Sequence, residues 1–506
     1  VGAIVLAAGL GTRMSSSLAK VLHCLGGRPL ISYPLAVLRA IGVDPIVVVV
    51  GHQADAVQAA CAPYQPRFAL QAEQRGTGHA TRVAQPQLSG FQGDLLLVYG
   101  DLPFLRPESL RRLIAAHQGA AAAVSLLTAR VDNPTGFGRI VRDPNGHIAR
   151  IVEERDASES ERAIHEVNVG VYCAGSRFLF EALERLQPTN AQKELYLTDI
   201  VALARARGAS IADATGENDE GTQISNRADL AACEQALRAR LNARWMTAGV
   251  TLEDPATTYI GPDVSIGRDT VIGPNVILRG GTRIGEGCRF DGSSLVIDAD
   301  IGNRVHVKFA VVITAARIED EAQVGPFAQL RPGTHLGPRV HIGDFVETKN
   351  AVLGAGTKAN HLAYLGDTEI GRDSNIGAGT ITCNYDGFRK HRTIIGNRVQ
   401  VGSDSTLVAP ITIGDDAYLA TATTVRADVP AGALAFNPRE QVHRPGWVAA
   451  RRAREDGLSL PPAAPDAAAS RRGRRPGAKA AAPARAKPRA RRKRSMRSAS
   501  QRRTRT

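Results

Sequence analysis

Residues 260–290 read IGPDVSIGRDTVIGPNVILRGGTRIGEGCRF. Every sixth position is a large apolar residue: Ile260, Ile266, Ile272, Leu278, Ile284 and Phe290. After a slip the rhythm resumes at Ile301, Val307 and Ile313. It then runs from Ile318 through Val324, Leu330 and Leu336 to Ile342. It returns at Ile395, Val401, Leu407, Ile413, Leu419 and Val425. A period of six sustained this long marks a solenoid in which each hexad is a short strand and a turn. The aliphatic side chains stack inside, and the Gly that often follows them (IGPDVS, IGRDTV, IGNRVH, IGDDAY) permits the tight corner. Three hexads close a coil, so stacked positions lie about 18 residues apart and residues 260–425 give roughly nine coils. A parallel β-helix is expected over 251–447.

Upstream, residues 226–246 (NRADLAACEQALRARLNARWM) place Leu230, Leu237 and Leu241 on one stripe. This predicts a helix bridging two domains, within a linker of 226–250. Residues 1–225 alternate apolar runs such as PIVVVVG (45–51) and DLLLVYGD (94–101) with helix-spaced stretches at 29–42, 106–118 and 176–186. That alternation predicts a Rossmann-like α/β domain, a mostly parallel sheet with helices on both faces. Ligands in such folds bind at the carboxyl ends of the strands. The opening VGAIVLAAGLGTRM puts Leu6, Ala7, Ala8 and Gly9 there, with Arg13 beyond, and Asp101 ends another strand. A glycine-rich turn with a cation suits a phosphate group, although it also suits an ordinary buried strand and turn.

Composition excludes several classes. No apolar run approaches the ~18 residues of a membrane span. Six scattered cysteines without a C-x-x-C pair argue for free thiols in a reducing compartment. No basic stretch precedes the first apolar run, so a secretory signal is not expected and the cytoplasm is the default. The net charge of +14 is not spread evenly. The stretch 451–506 holds 19 Lys/Arg and 3 Asp/Glu, which leaves 1–450 at −2. The segment from 448 to 506 reads as a disordered basic tail. Its partner is either none or nucleic acid or an anionic surface bound non-specifically.

The solenoid carries its own candidates. Arg331 and Lys349 are three hexads apart, so they should stack as neighbours on one face. Two like charges at that spacing repel unless an anion sits between them; the alternative is two solvated surface cations. His361, Tyr364 and Asn375 follow on the next coils, and the rhythm breaks between Thr382 and Ile395 with an insertion holding Asn384, Tyr385 and Lys390. A loop that interrupts a regular ladder is a usual place for function.

The motifs LAAGLGTRM, AKVLH, LQAEQRGTGHA, YGDLP, PTGFGRI, IVEERDA, EVNVG, PFAQLRPG, GDFVETKN, KANHLAYLGD and NIGAGTITCNYDG give a closer reading. Over about residues 1–447 the chain resembles the bacterial bifunctional N-acetylglucosamine-1-phosphate uridylyltransferase / glucosamine-1-phosphate N-acetyltransferase family. The resemblance implies a nucleotidyltransferase domain followed by a left-handed parallel β-helix, with UTP and acetyl-CoA as co-substrates, Mg²⁺ as the metal, and a homotrimer. It assigns Arg13 and Lys20 to the triphosphate, with Lys20, Gln71, Gly76 and Thr77 at the nucleotide. Gly138, Glu153, Asn168 and Asn226 fall at the sugar phosphate, and Asp101 and Asn226 at the metal. In the β-helix it implies Arg331, Lys349, Tyr364 and Asn375 at glucosamine 1-phosphate and His361 as general base. Ala378, Asn384, Tyr385, Lys390, Ser403 and Thr421 fall near acetyl-CoA. Histidine suits proton transfer near neutral pH. The chain departs from the family at Leu10, Ala19, Val169 and Thr421. Ala19 replaces a usual proline, so a looser lysine loop is expected. A rival reading keeps the nucleotidyl site and makes the solenoid regulatory; another gives the leading role to the tail and nucleic acid.

Overall fold

The computed structural model describes residues 1–190 and 192–457. Val1–Asn437 form one compact unit, and a second begins at Pro438. Between Gly2 and Thr215, apolar strands that bury both faces set the architecture. Gly2–Leu6 lies between Ile46–Val50 and Asp94–Tyr99 and is parallel to both. Arg67–Leu70 extends one edge in parallel, while Glu166–Gly175 runs antiparallel between Asp94–Tyr99 and Val124–Arg130. Alternation divides the side chains between two cores. Ala3, Val5, Val48 and Val50 face one, and Ile4, Val47 and Val49 face the other. Double-sided burial is why these strands read as unbroken aliphatic runs. The predicted helices occur at Ser32–Ala40, Pro107–Gly119 and Ser176–Leu183.

The bridging helix is Arg227–Thr247. Its first turn is closed by a capping box: Asn226 Oδ1 accepts from the Ala228 and Asp229 N–H groups, and Asp229 reaches back to the Asn226 N–H. Cys233, Leu237, Leu241 and Trp245 form its buried stripe. Asn242 donates to the carbonyls of Pro255 and Thr258 at 2.8 and 2.9 Å, fastening the helix to the first coil.

From Thr251 to Ala435 the chain winds through short parallel strands stacked coil on coil. One continuous apolar core runs inside, from Trp245 to Val429. The expectation of uniform coils is corrected by the register. Ile266 lies on Ile284, a full three hexads on. Ile284 lies on Ile301 and Ile342 on Ala359, each one residue short of three hexads. Ile376 lies on Val401, a longer step, because the coil between them carries the inserted loop. A corner can lose one residue without moving the inward side chains, so the stack survives the slip.

The role of the repeated glycine also differs from the expectation. The left-handed corner falls three positions after the aliphatic residue, at Asp269, Arg304, Glu321 and Arg339, with φ from 54 to 63°. The glycine itself is required by close approach: a Cβ at Gly267 would sit 2.5 Å from the Gly285 carbonyl carbon. Truncating an inward rung should leave a cavity the stacked coils cannot close. Ile313, fully buried, is expected to cost about 2–5 kcal/mol as Ile313→Ala, read as a fall in the chemical-denaturation midpoint of the β-helix.

The segment expected to be disordered from 448 instead opens in a helix, Trp447–Glu455, rich in alanine and arginine, both good helix formers. The rest of that expected tail, 458–506, lies outside the described residues.

Candidate active sites

At the carboxyl ends of the parallel strands lies a cleft of about 680 Å³. Leu6, Ala7, Ala8, Gly9, Arg13, Lys20, Gln71, Gly76, Thr77, Asp101, Gly138, Glu153 and Asn168 all line it. Gly11 serves close approach: a Cβ there, where φ is 63°, would meet Lys20 Cβ at 2.7 Å. Lys20 and Asp101 form an ion pair inside the cleft, with side chains 20% and 9% exposed. Arg13 is exposed at its mouth. Ala19 corrects the expectation of a loose loop. Its φ of −56° is already proline-like, and its N–H, which proline would lack, donates to Gln53 Oε1 at 2.8 Å.

Several walls are braced from behind. Gln71 donates to the Gly76 carbonyl at 3.3 Å, and Thr77 Oγ1 accepts from the Leu197 N–H at 3.0 Å. Asn168 donates to the Tyr172 hydroxyl at 2.6 Å and accepts from the Gly170 N–H at 3.1 Å, so its amide is engaged by the protein. Tyr99, Tyr196, Thr198, Gln223 and Ser225 also line the cleft and were not legible in the sequence. The segment around Tyr196 and Thr198 has neither helical nor strand periodicity, so no pattern pointed to it.

Burial pushes the Glu153 carboxyl above its ordinary range; Thr198 opposes this by hydrogen bonding, while the charges of Asp156 and Asp199 add to it. With the folded value above the unfolded one, the stability this group contributes is full at low pH and is lost as pH rises through the raised value. The acid limb of any binding in this cleft that requires the ionised Glu153 carboxylate is therefore expected above the usual glutamate range near ~4.3. It should vanish from the pH profile of Glu153→Gln.

Asn226 alone of the first-site candidates is absent from the cleft wall, though Gln223 and Ser225 beside it are present. Its amide oxygen already accepts two backbone N–H groups as the helix cap, which fills both lone pairs. Among the described residues no group of three His, Cys, Asp or Glu could hold a metal. Asp101 places a hard carboxylate at the strand end, where it is already paired with Lys20. That donor set fits Mg²⁺ only as a site completed by water and phosphate oxygens.

The second constellation is on the β-helix. The backbone register places Leu330 on Thr348, so Arg331 and Lys349 follow paired positions as the spacing requires. Their side chains have other partners. Arg331 pairs with Glu347 at 2.7 Å, and Lys349 meets Lys390 of the inserted loop. Contact with Lys349 lowers the Lys390 ammonium's pKa. Asp367 joins this group: burial pushes its carboxyl up, but the amides of Asn350 and Asn384 and the charges of Lys349 and Lys390 hold it lower overall. Asn384 also reaches the Tyr364 hydroxyl at 3.5 Å. A Cβ at Gly366 would collide with that hydroxyl, so the glycine makes room for the ring. Within the loop, Tyr385 bridges to Lys390. Asp386 accepts from the Arg389 N–H, from His391 and from the Phe388 N–H, which hold its carboxyl at about 2.

His361 stands at a corner of the coil. Its Nδ1 lies 3.2 Å from Asp344 Oδ1, one coil before and directly paired in register. Asp344 was missed in the sequence because it lies on a coil one residue short of three hexads, off the expected spacing. Backbone bonds link this corner through the coils: Leu362 N to Asp344 O, Gly379 N to Leu362 O, Asp404 N to Ala378 O and Ala422 N to Ser403 O. Hence His361, Ala378, Ser403 and Thr421 form one column along a single edge, about 14 Å tall at ~4.8 Å per rung. Asn375 lies on the sheet that carries His361, paired with Lys358 and Gln400.

Residues 3–202 match the MobA-like NTP transferase domain. Residues 263–298 match the bacterial transferase hexapeptide (six repeats), and 392–427 the hexapeptide repeat of succinyl-transferase. The chain is 50% identical over 456 residues to a protein of Pelobacter propionicus named Bifunctional protein GlmU, covering 88% of this chain and 98% of that one. Proteins of the same name from Trichlorobacter lovleyi and an Anaeromyxobacter species are each 50% identical, over 452 and 467 residues. These cover 89% and 92% of this chain and 98% and 95% of the relatives.

Proposed function

The chain belongs to the family of the bifunctional GlmU proteins, and from that membership we propose how its two sites divide two transfers. One enzyme acetylates glucosamine 1-phosphate from acetyl-CoA and then joins N-acetylglucosamine 1-phosphate to UTP, releasing pyrophosphate. The observation that carries this reading is the presence on one chain of both the Lys20–Asp101 cleft and the His361 edge column.

In the cleft, a phosphate oxygen of the sugar phosphate attacks the α-phosphorus, and the bond to the β-phosphate breaks. Arg13 and Lys20 offset the charge on the triphosphate and the leaving pyrophosphate. Gln71, Gly76 and Thr77 hold the nucleotide, while Gly138, Glu153 and Asn168 form the sugar wall. Asp101 would hold Mg²⁺, with phosphate oxygens as further ligands. Asn226 could join only by giving up a helix-cap hydrogen bond. When bound, the ion would neutralise triphosphate charge.

On the β-helix, Arg331, Lys349, Tyr364 and Asn375 hold glucosamine 1-phosphate. His361, oriented by Asp344, takes a proton as the amine attacks the thioester carbonyl, and CoA leaves as the thiol. The column at Ala378, Ser403 and Thr421, with Asn384, Tyr385 and Lys390, takes the long coenzyme. Phe309, Phe327, Phe345 and Leu362 are 48, 48, 58 and 64% exposed on successive coils along the same edge, running up to that column. Phe327 and Phe345 stack at 5.4 Å. An apolar ladder of this extent supports association through the β-helix, with a homotrimer as the proposed state.

No helix among the described residues is long and apolar enough to cross a membrane, and the proposed location is the cytoplasm. The basic segment is proposed as a non-specific contact for nucleic acid or an anionic surface. Deleting 451–506 should leave both transfers intact. The direct test is a coupled assay with glucosamine 1-phosphate, acetyl-CoA, UTP and Mg²⁺. UDP-N-acetylglucosamine, pyrophosphate and free CoA are expected. Sugar-nucleotide formation without consumption of acetyl-CoA would reduce the solenoid to a regulatory module.

A further inference from the structure

Arg139 is an arginine only 1% exposed, and no charge on a substrate is needed to explain it. Its guanidinium donates to Glu154 Oε2 at 2.6 Å and to the Phe137 carbonyl, and more weakly to the Arg162 carbonyl at 3.4 Å. Glu154 Oε2 also accepts from the Gly136 N–H at 3.1 Å. Arginine hydrogen bonding and the Gly136 N–H hold the Glu154 carboxyl below its ordinary range. One carboxylate oxygen therefore joins the guanidinium to the backbone of the 134–138 loop.

The position of this pair gives it a second effect. Glu154 adjoins Glu153, and Arg139 adjoins Gly138, so each partner is the chain neighbour of a sugar-wall residue. The backbone pairs Arg139 with Val152, and the Gly138 carbonyl accepts from the Asn168 N–H at 2.8 Å. A Cβ at Gly138 would lie 3.5 Å from both Glu153 carboxylate oxygens. The gap between Gly138 and the Glu153 carboxylate is therefore narrow, and the ion pair joins the chain neighbours that flank it on both sides. Gly136, at φ 88°, has no side chain of its own to anchor the loop.

We propose that Arg139 and Glu154 are positioning residues for uridylyl transfer, clamping the Gly136–Gly138 loop over Glu153 so that the wall for the amino-sugar phosphate is formed before substrate arrives. This rests on the assignment of the cleft to uridylyl transfer. Neither residue needs to touch the reacting atoms. Glutamine at 154 keeps an acceptor for both the Gly136 N–H and the guanidinium, whereas alanine frees the loop.

The test uses the full chain and measures steady-state uridylyl transfer with each substrate varied, for wild type, Glu154→Ala, Glu154→Gln and Arg139→Lys. In Glu154→Ala, KM for N-acetylglucosamine 1-phosphate should rise about tenfold or more, since small misplacements of binding groups cost up to ~10²-fold. KM for UTP should stay within about twofold. Glu154→Gln should recover most of the loss, and Arg139→Lys, which loses the forked geometry, should itself raise the sugar-phosphate KM nearly as much as Glu154→Ala. A UTP KM held within about twofold reports that the α/β domain of each variant is folded, and acetyl transfer by the same preparations should not change. A sugar-phosphate KM that holds within twofold in Glu154→Ala would overturn the clamp. So would both KM values rising together with no rescue by glutamine. A wild-type chain unable to perform uridylyl transfer would overturn the assignment of the cleft, and the clamp with it.

Discussion

Replacing His361 by alanine is expected to lower acetyl transfer by roughly 10²–10⁴-fold, the usual worth of a positioned general base. The imidazole is exposed and fastened at Nδ1 by Asp344, and on the proposed mechanism its Nε2 takes the proton. Asp344→Asn should lose less, because an amide can still hold the ring but cannot stabilise the imidazolium that forms. Uridylyl transfer in both variants should remain within about twofold of wild type, because the cleft is built from other residues. The measurement is release of free CoA with glucosamine 1-phosphate as acceptor. A His361→Ala enzyme that keeps a third or more of its acetyl transfer would remove the imidazole from the mechanism and favour a solenoid that serves only assembly.

The second large effect is expected at the other end. Lys20→Ala should cut uridylyl transfer by about 10²–10³-fold, the loss typical of removing one preorganised group that stabilises transition-state charge. Two effects combine there. On the proposed assignment a cation facing the triphosphate is lost, and Asp101, now without its Lys20 partner in the cleft, repels the anionic nucleotide. Asp101→Asn separates the two roles. It relieves the repulsion but weakens the hard ligand, so more Mg²⁺ should be needed for half-maximal rate. Acetyl transfer serves as the internal control for both variants. A Lys20→Ala enzyme within threefold of wild type in pyrophosphate release would place the triphosphate elsewhere.

The α/β domain, the bridging helix and the β-helix were all legible in the sequence. Each is written in a local repeat: alternating burial in Val47–Val50, a helical stripe through Leu237 and Leu241, six-residue spacing from Ile260 to Val425. The period also exposed the inserted loop, because a ladder announces its own interruption. Local sequence was enough to nominate Lys20 and Asp101 beside the strand ends and Lys349 by its spacing, while Glu153 and the role of His361 came from the family motifs. Tertiary structure changed what those residues do with one another. Lys349 faces Lys390 rather than Arg331, Asn226 caps a helix, and the N–H at Ala19 ties the lysine loop to Gln53.

What the sequence determined by itself is the set of elements and the chemistry each can carry, because backbone periodicity and residue type act over a few neighbouring positions. Only the three-dimensional structure decided the partners: Asp344 behind His361, Glu154 across from Arg139, and the single edge along which His361, Ala378, Ser403 and Thr421 align. Those pairings depend on coils of unequal length and on strands that meet from distant parts of the chain. A one-residue change in corner length moves every later residue to a new neighbour while leaving the inward aliphatic stack intact, so the repeat that reveals the fold does not specify the contacts on its surface.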